Sequence, residues 1–209
     1  MLRVESIKLL NQKSVNFLVP EHSGIVIQGA NGCGKSLLLK SLAKLIPSES
    51  KCFLFQGKDV SSLPLETYRS QVLYLPPASS SSTDLSVEGF FQEALKLEVY
   101  RDHVVTFPYQ DYLKEWKITE DKFQNLSSGQ KQMVCLLRAI TLRAKVLLLD
   151  EPTANLDQEK TMATERLLKD WMDQTKGSVV IVSHSGEQAK RTEFEVIPFN
   201  NLISFSKDT

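Results

Sequence analysis

The eight residues Gly29-Ala30-Asn31-Gly32-Cys33-Gly34-Lys35-Ser36 constrain this chain more than any other segment. Three glycines within six positions make a tight turn rather than a strand or a helix. A short apolar run at residues 25–28 precedes the turn. An amphipathic stretch follows it, with Leu38, Leu39, Leu42, Leu45 and Ile46 forming an apolar stripe over residues 36–46 that Pro47 closes. The local order is therefore strand, glycine loop, helix. Three further apolar runs, at residues 72–75, 146–149 and 179–182, each lead into a small polar turn. Runs without polar alternation suit strands covered on both faces, so the chain reads as α/β with a mostly parallel sheet flanked by helices.

The loop fits G-x-x-x-x-G-K-[ST], at the place where that pattern carries chemistry. Its glycines let backbone N–H groups turn inward around phosphates, and the helix N-terminus adds partial positive charge. Lys35 is expected to reach the β and γ phosphates and to act in catalysis, and Ser36 to ligate Mg²⁺. Gly29, Ala30, Asn31, Gly32, Cys33, Gly34, Lys35, Ser36 and the following Leu37 are the candidate nucleotide-binding residues. Cys33 sits where a helix dipole favours thiolate. The run at 146–149 delivers two carboxylates in succession, Asp150 and Glu151. Side chains alternate along a strand, so the two need not share a task. Asp150 is expected to hold Mg²⁺ through its water shell, and Glu151 to polarise the water that attacks the γ-phosphate.

A third segment, Leu126-Ser127-Ser128-Gly129-Gln130-Lys131-Gln132, opens a helix whose apolar face carries Met133, Val134, Leu136, Leu137 and Ile140. Taken with Ala154-Asn155-Leu156-Asp157 and His184, the order of these segments closely resembles the ATP-binding-cassette (ABC) ATPases over nearly the whole chain. The resemblance implies a P-loop NTPase core with a small antiparallel β region, residues 1–84 and 145–209, and a helical signature subdomain at about 85–144 in one domain. It implies ATP and Mg²⁺ as cofactors and a homodimer in which Ser127 and Gly129, with Gln130 beside them, meet the γ-phosphate held by the loop of a second copy. Residues 154–157 would cross that interface, and His184 would hydrogen-bond the γ-phosphate. An integral membrane permease is the implied partner, which would hold the subunit in the cytoplasm on the inner face of the cell membrane.

Composition narrows the partners. Among 209 residues, 25 basic side chains balance 25 acidic ones, so no whole-molecule field draws nucleic acid, and none is expected as a partner. Apolar runs such as 146–149 and 179–182 are four residues, far below the roughly 20 of a membrane-spanning helix. Residues 1–11 contain no apolar block of signal-peptide length. Three widely spaced cysteines, Cys33, Cys52 and Cys135, fit reduced thiols in an intracellular protein. His22 and His103 have no motif around them and read as structural or surface residues. An aromatic-rich stretch over residues 85–126 reads as a helical insertion, and the serine run 79–82 as a loop.

Two positions depart from the family pattern. Pro77 stands where the family places a glutamine that ligates the metal, and proline offers neither a side-chain ligand nor an amide proton. Gln71 lies before the strand, about 20 Å away if extended, and cannot replace it. Residues 7–10 lack the aromatic that the family stacks on adenine, leaving Leu9 or Leu10 as an apolar platform. The leading expectation is an ABC transporter ATPase subunit, similar in part to small metal or iron exporters and in length to the ATPase of haem export. Alternatives are a non-transport ABC ATPase of cofactor assembly and a slow-hydrolysing nucleotide switch.

Overall fold

Two five-stranded sheets organise the chain in a computed structural model that describes residues 1–9, 14–77, 83–118, 122–142, 144–183 and 191–204. With elements numbered along the chain, β1 (Leu2–Lys8), β2 (Ser14–Val19), β4 (Cys52–Phe55), β5 (Lys58–Asp59) and β10 (Ile203–Ser204) form an antiparallel sheet in the order β10-β2-β1-β4-β5. The second sheet contains β3 (Gly24–Gln28), β6 (Val72–Leu75), β7 (Val146–Asp150), β8 (Ser178–Ser183) and β9 (Glu195–Pro198), in the order β6-β7-β8-β3-β9. Every neighbouring pair in it is parallel. The four apolar runs are its first four strands. The fifth, β9, has no such run because it is an edge strand whose Glu195 and Val196 are exposed.

Side-chain alternation explains why the central strands are apolar throughout. Ile25, Ile27, Leu148, Val180 and Val182 point to one face, where they pack with Leu38, Leu39 and Leu42 of α1 (Lys35–Leu42) and with residues of the antiparallel sheet such as Phe17 and Phe53. Val26, Leu147, Leu149, Val179 and Ile181 point to the other, beneath α5 (Ser128–Thr141) and α6 (Gln158–Thr175). A strand sandwiched in this way has no solvent face on which to place polar residues.

The helix after the glycine loop is shorter than its apolar stripe predicts. It ends at Leu42, not at Ile46. Lys44 takes the left-handed conformation (φ 55°), its N–H donates to Ser41 O at 3.0 Å, and the N–H of Leu45 donates to Lys40 O at 2.9 Å. This closing motif terminates the helix before Pro47 acts. Leu45 is left 48% exposed, so the stripe buries only its first three leucines.

Between β5 and β6 lies α2 (Leu65–Gln71), and α3 (Val87–Leu95) and α4 (Tyr109–Glu115) lie in the aromatic stretch. Phe91 stacks on Tyr109 with centroids 4.3 Å apart, and Phe107 stacks on Tyr112. These rings share one apolar cluster with Leu147, Leu149 and Ile181 of the sheet, so the helical segment is clamped onto the parallel sheet instead of forming a core of its own. His103 accepts its structural reading, with Nε2 lying 2.6 Å from Thr141 O at the end of α5.

Candidate functional site

Because the sheet is parallel, the C-terminal ends of β3, β6, β7 and β8 share one edge, where ligands of such sheets bind. The glycine loop joins β3 to α1 there. Gly32 (φ 74°) and Gly34 (φ 117°) occupy the left-handed region, where a side chain is strained. Gly34 is the N-cap of α1 and places no side chain across the helix start. Helix geometry leaves the amides of Lys35, Ser36 and Leu37 without an intrahelical acceptor, at the positive end of the dipole. Such an end receives anions. Ala30, Asn31 and Gly32 are exposed along the loop, and Cys33 is half-buried against the core.

Lys35 is only 5% exposed. Its Nζ donates to the carbonyl oxygens of Gly29 and Ala30 at 2.8 and 2.9 Å. The ammonium is thereby held over the loop by neutral acceptors, which an ionised phosphate oxygen outcompetes.

Asp150, the last residue of β7, is 2% exposed. Its Oδ1 accepts from Ser36 Oγ at 3.0 Å and its Oδ2 from Tyr74 Oη at 3.0 Å. A hydroxyl and a carboxylate oxygen at this separation are hard donors of the kind Mg²⁺ takes beside phosphate, so the residues fit that ion. Burial first, and the Asp150 carboxylate second, push the Tyr74 hydroxyl far above the usual phenol range, so it remains a donor. Glu151 follows with φ 51°, and its N–H donates to Val182 O at 2.9 Å. Its left-handed backbone breaks the strand's alternation, a departure of the kind that functional sites hold in place.

Pro77 is exposed just past the end of β6. Gln71 lies at the opposite end of that strand, as the last residue of α2. His184, Leu10 and the serine run 79–82 lie outside the described residues. Leu9 is 3% exposed and belongs to the core around α1 and the antiparallel sheet. A residue with no exposed face offers no ring a platform, which corrects the expectation for that position.

The Ser127 segment forms a second locus. Ser127 caps α5: its Oγ accepts from the Gln130 N–H at 3.2 Å, and Gln130 Oε1 accepts from the Ser127 N–H at 3.0 Å. The two side chains satisfy each other's backbone. Gly129 is buried against the segment before α6, and a Cβ there would meet Leu156 Cδ2 at 3.1 Å and Asn155 O at 3.5 Å. Its close neighbours are thus in residues 154–160, not in the 29–36 loop. Asp157 caps α6, accepting from the Lys160 N–H at 2.9 Å. Hydrogen bonds from Lys160 hold its carboxyl below the usual range.

Comparison with known proteins bears on this pair of loci. The family described as ABC transporter matches residues 12–154 of the chain. The chain belongs to that family. It is 31% identical over 192 residues to the probable iron export ATP-binding protein FetA of Escherichia coli (strain K12), covering 89% of this chain and 82% of the relative. It is 26% identical to the probable siderophore transport system ATP-binding protein YusV of Bacillus subtilis (strain 168), over 81% of this chain and 64% of that protein. The fold is similar to that of MJ0796, a bacterial ABC transporter cassette solved as a dimer, with TM-score 0.79, 21% identity and coverage of 95% and 94%. As an ABC ATPase, the chain binds and hydrolyses ATP. Among the described residues no helix is long and apolar enough to cross a membrane.

Of the residues singled out from sequence, the fold brings Gly29, Lys35, Ser36, Asp150 and Glu151 to one sheet edge and leaves Ser127, Gly129 and Gln130 on a separate helix start. Tyr74 was missed. Its signal was the period-2 pattern: on β6 it pairs with Leu148 of β7, which places it on the same face as Asp150 two residues on.

Proposed function

We propose that this chain is the ATP-hydrolysing subunit of a transporter, that two copies close around two ATP molecules, and that this cycle drives a separate integral membrane permease. The observation that carries the reading is the contact of half-buried Ser36 with buried Asp150 beside a glycine loop that holds Lys35. In this reading Gly29 to Leu37 wrap the phosphates with backbone amides, and Lys35 exchanges its two carbonyl acceptors for phosphate oxygens. Ser36 and Asp150 would hold Mg²⁺. Mg²⁺, when bound, offsets phosphate charge and polarises the γ-phosphoryl group. Glu151 orients the attacking water, and His184 hydrogen-bonds the γ-phosphate. Ser127, Gly129 and Gln130 of the second copy cover the remaining side. Residues 85–144 act as the helical part that carries this second locus.

The permease would place the subunit in the cytoplasm, on the inner face of the cell membrane. Likeness to the iron export protein of E. coli favours a metal ion moved outward as cargo. Purification of the tagged chain from detergent-solubilised membranes tests the reading. An integral membrane protein that copurifies and raises ATP turnover supports it, whereas recovery of soluble partners alone overturns transport in favour of cofactor assembly. Pro77 favours a second reading, a nucleotide switch that hydrolyses slowly. Steady-state phosphate release compared with ATP affinity separates the two.

A further inference from the structure

We infer that Tyr74 is a positioning residue for the Mg²⁺ site, acting through Asp150. The inference rests on the reading of Ser36 and Asp150 as the metal-holding pair. Asp150 is 2% exposed, so bulk water cannot solvate its carboxylate, and each oxygen needs a donor from the protein. Ser36 Oγ serves Oδ1 and Tyr74 Oη serves Oδ2, both at 3.0 Å. One donor alone would leave the carboxylate able to turn about its broad two-fold torsion. Two donors from different elements, α1 and β6, fix its plane and direct Oδ1 to the start of α1.

The placement follows from the strand register. Val72 and Tyr74 face α1, as do Val146, Leu148 and Asp150 on the neighbouring strand. Tyr74 pairs with Leu148, so its long side chain reaches diagonally to Asp150 along the same face. Pro77, three residues further along, supplies no metal ligand. The strand instead contributes to the metal site from within the sheet, through the hydroxyl of Tyr74. Were the Ser36 oxygen to hold a metal, Tyr74, which approaches from β6, would still donate to Oδ2. Without the tyrosine hydroxyl, Oδ2 is buried and unmet. Rotation of the Asp150 carboxylate toward another donor would relieve it, and would turn Oδ1 away from the start of α1.

Tyr74→Phe keeps the ring in its packing place and deletes only the donor. The test measures Mn²⁺ binding to the complex with a non-hydrolysable ATP analogue by electron paramagnetic resonance, and nucleotide binding in EDTA by fluorescence. Mn²⁺ affinity is expected to fall roughly tenfold, in line with loss of a hydrogen bond to a buried charge. Metal-free nucleotide affinity should stay within about twofold, since Tyr74 touches no phosphate site in this reading. Asp150→Asn should lower Mn²⁺ affinity at least as far, and adding Tyr74→Phe to it should change nothing more. Wild-type Mn²⁺ affinity in Tyr74→Phe, with loss in Asp150→Asn, overturns the role of Tyr74 and leaves the metal-site reading intact. Wild-type affinity in Asp150→Asn overturns both. An equal loss of metal-free nucleotide binding and Mn²⁺ binding in Tyr74→Phe reports a loosened core and also overturns the inference.

Discussion

The two loci that the proposed dimer would use together are built in opposite ways. At the glycine loop and the end of β7 the charged groups are buried and held against the sheet: Lys35 is 5% exposed and Asp150 2%. The partners of Lys35 are carbonyls that a phosphate oxygen can replace, and those of Asp150 are hydroxyls that hold its carboxylate in place. At the start of α5, Ser127 and Gln130 are surface residues that satisfy one another through a capping box. The first locus holds hydrogen-bonded charged groups in a place shielded from water, where each interaction counts for more. The second is complete as a helix end and holds no comparable charge. An isolated copy should therefore own nearly all of the nucleotide affinity, and the second locus should matter only when another copy presents its γ-phosphate.

The largest effect that would break this contrast belongs to Glu151. Glu151→Gln is expected to cut turnover roughly a hundredfold or more while ATP affinity holds. Size-exclusion chromatography with Mg-ATP should show the variant moving to a dimer. A variant that binds nucleotide and stays monomeric counts against joint use of the two loci. Next, Lys35→Ala should weaken ATP binding about a hundredfold, since it removes a buried charged donor. Thermal stability should change little, and wild-type affinity in a nucleotide titration would dissolve the first locus as described.

Pro77→Gln sharpens the comparison at smaller scale. Restoring a ligand and an amide donor beside the first locus should raise turnover, by up to about a hundredfold if the missing group misplaces the attacking water by an ångström. Mg-ATP affinity should stay near its original value, because Mg²⁺ readily keeps a water in an empty position. Equal turnover in the two forms at saturating Mg-ATP would mean that the role is filled elsewhere. The smallest effect is Ser127→Ala, which deletes one side of the capping box. It should cost about 1 kcal/mol of stability, measured as a lowered denaturation midpoint, with monomer nucleotide affinity unchanged. Lys35→Ala and Ser127→Ala should thus show reversed profiles, one losing affinity and the other stability.

Local chemistry was the legible part of this chain. Four apolar runs named four of the five strands of the parallel sheet, and the glycine loop named its own conformation, because both depend on neighbours within a few residues. The positions of Asp150 and Ser36, at the end of β7 and the start of α1, were legible for the same reason, each attached to an element that the pattern already specified. The exposed edge strand β9 was not legible, since it carries no apolar run. The end of α1 was misread because Lys44 in a left-handed conformation closes it, and lysine has no strong preference for that region. Leu9 was offered to a ligand because its stretch lacked an aromatic, and the fold buries it instead.

The sequence by itself determined the fold class and the conformation of the glycine loop, because glycine spacing and apolar runs act over short range. Only the tertiary structure decided which side chains share a face. Tyr74 and Ser36 are 76 and 114 positions from Asp150 in the chain, yet both bond its carboxylate. That meeting depends on β6 lying beside β7 in one register and on α1 packing over the same face. A one-residue slip of β6 would turn Tyr74 to the opposite side of the sheet, and the burial of Val72 among the core residues around α1 specifies the observed register.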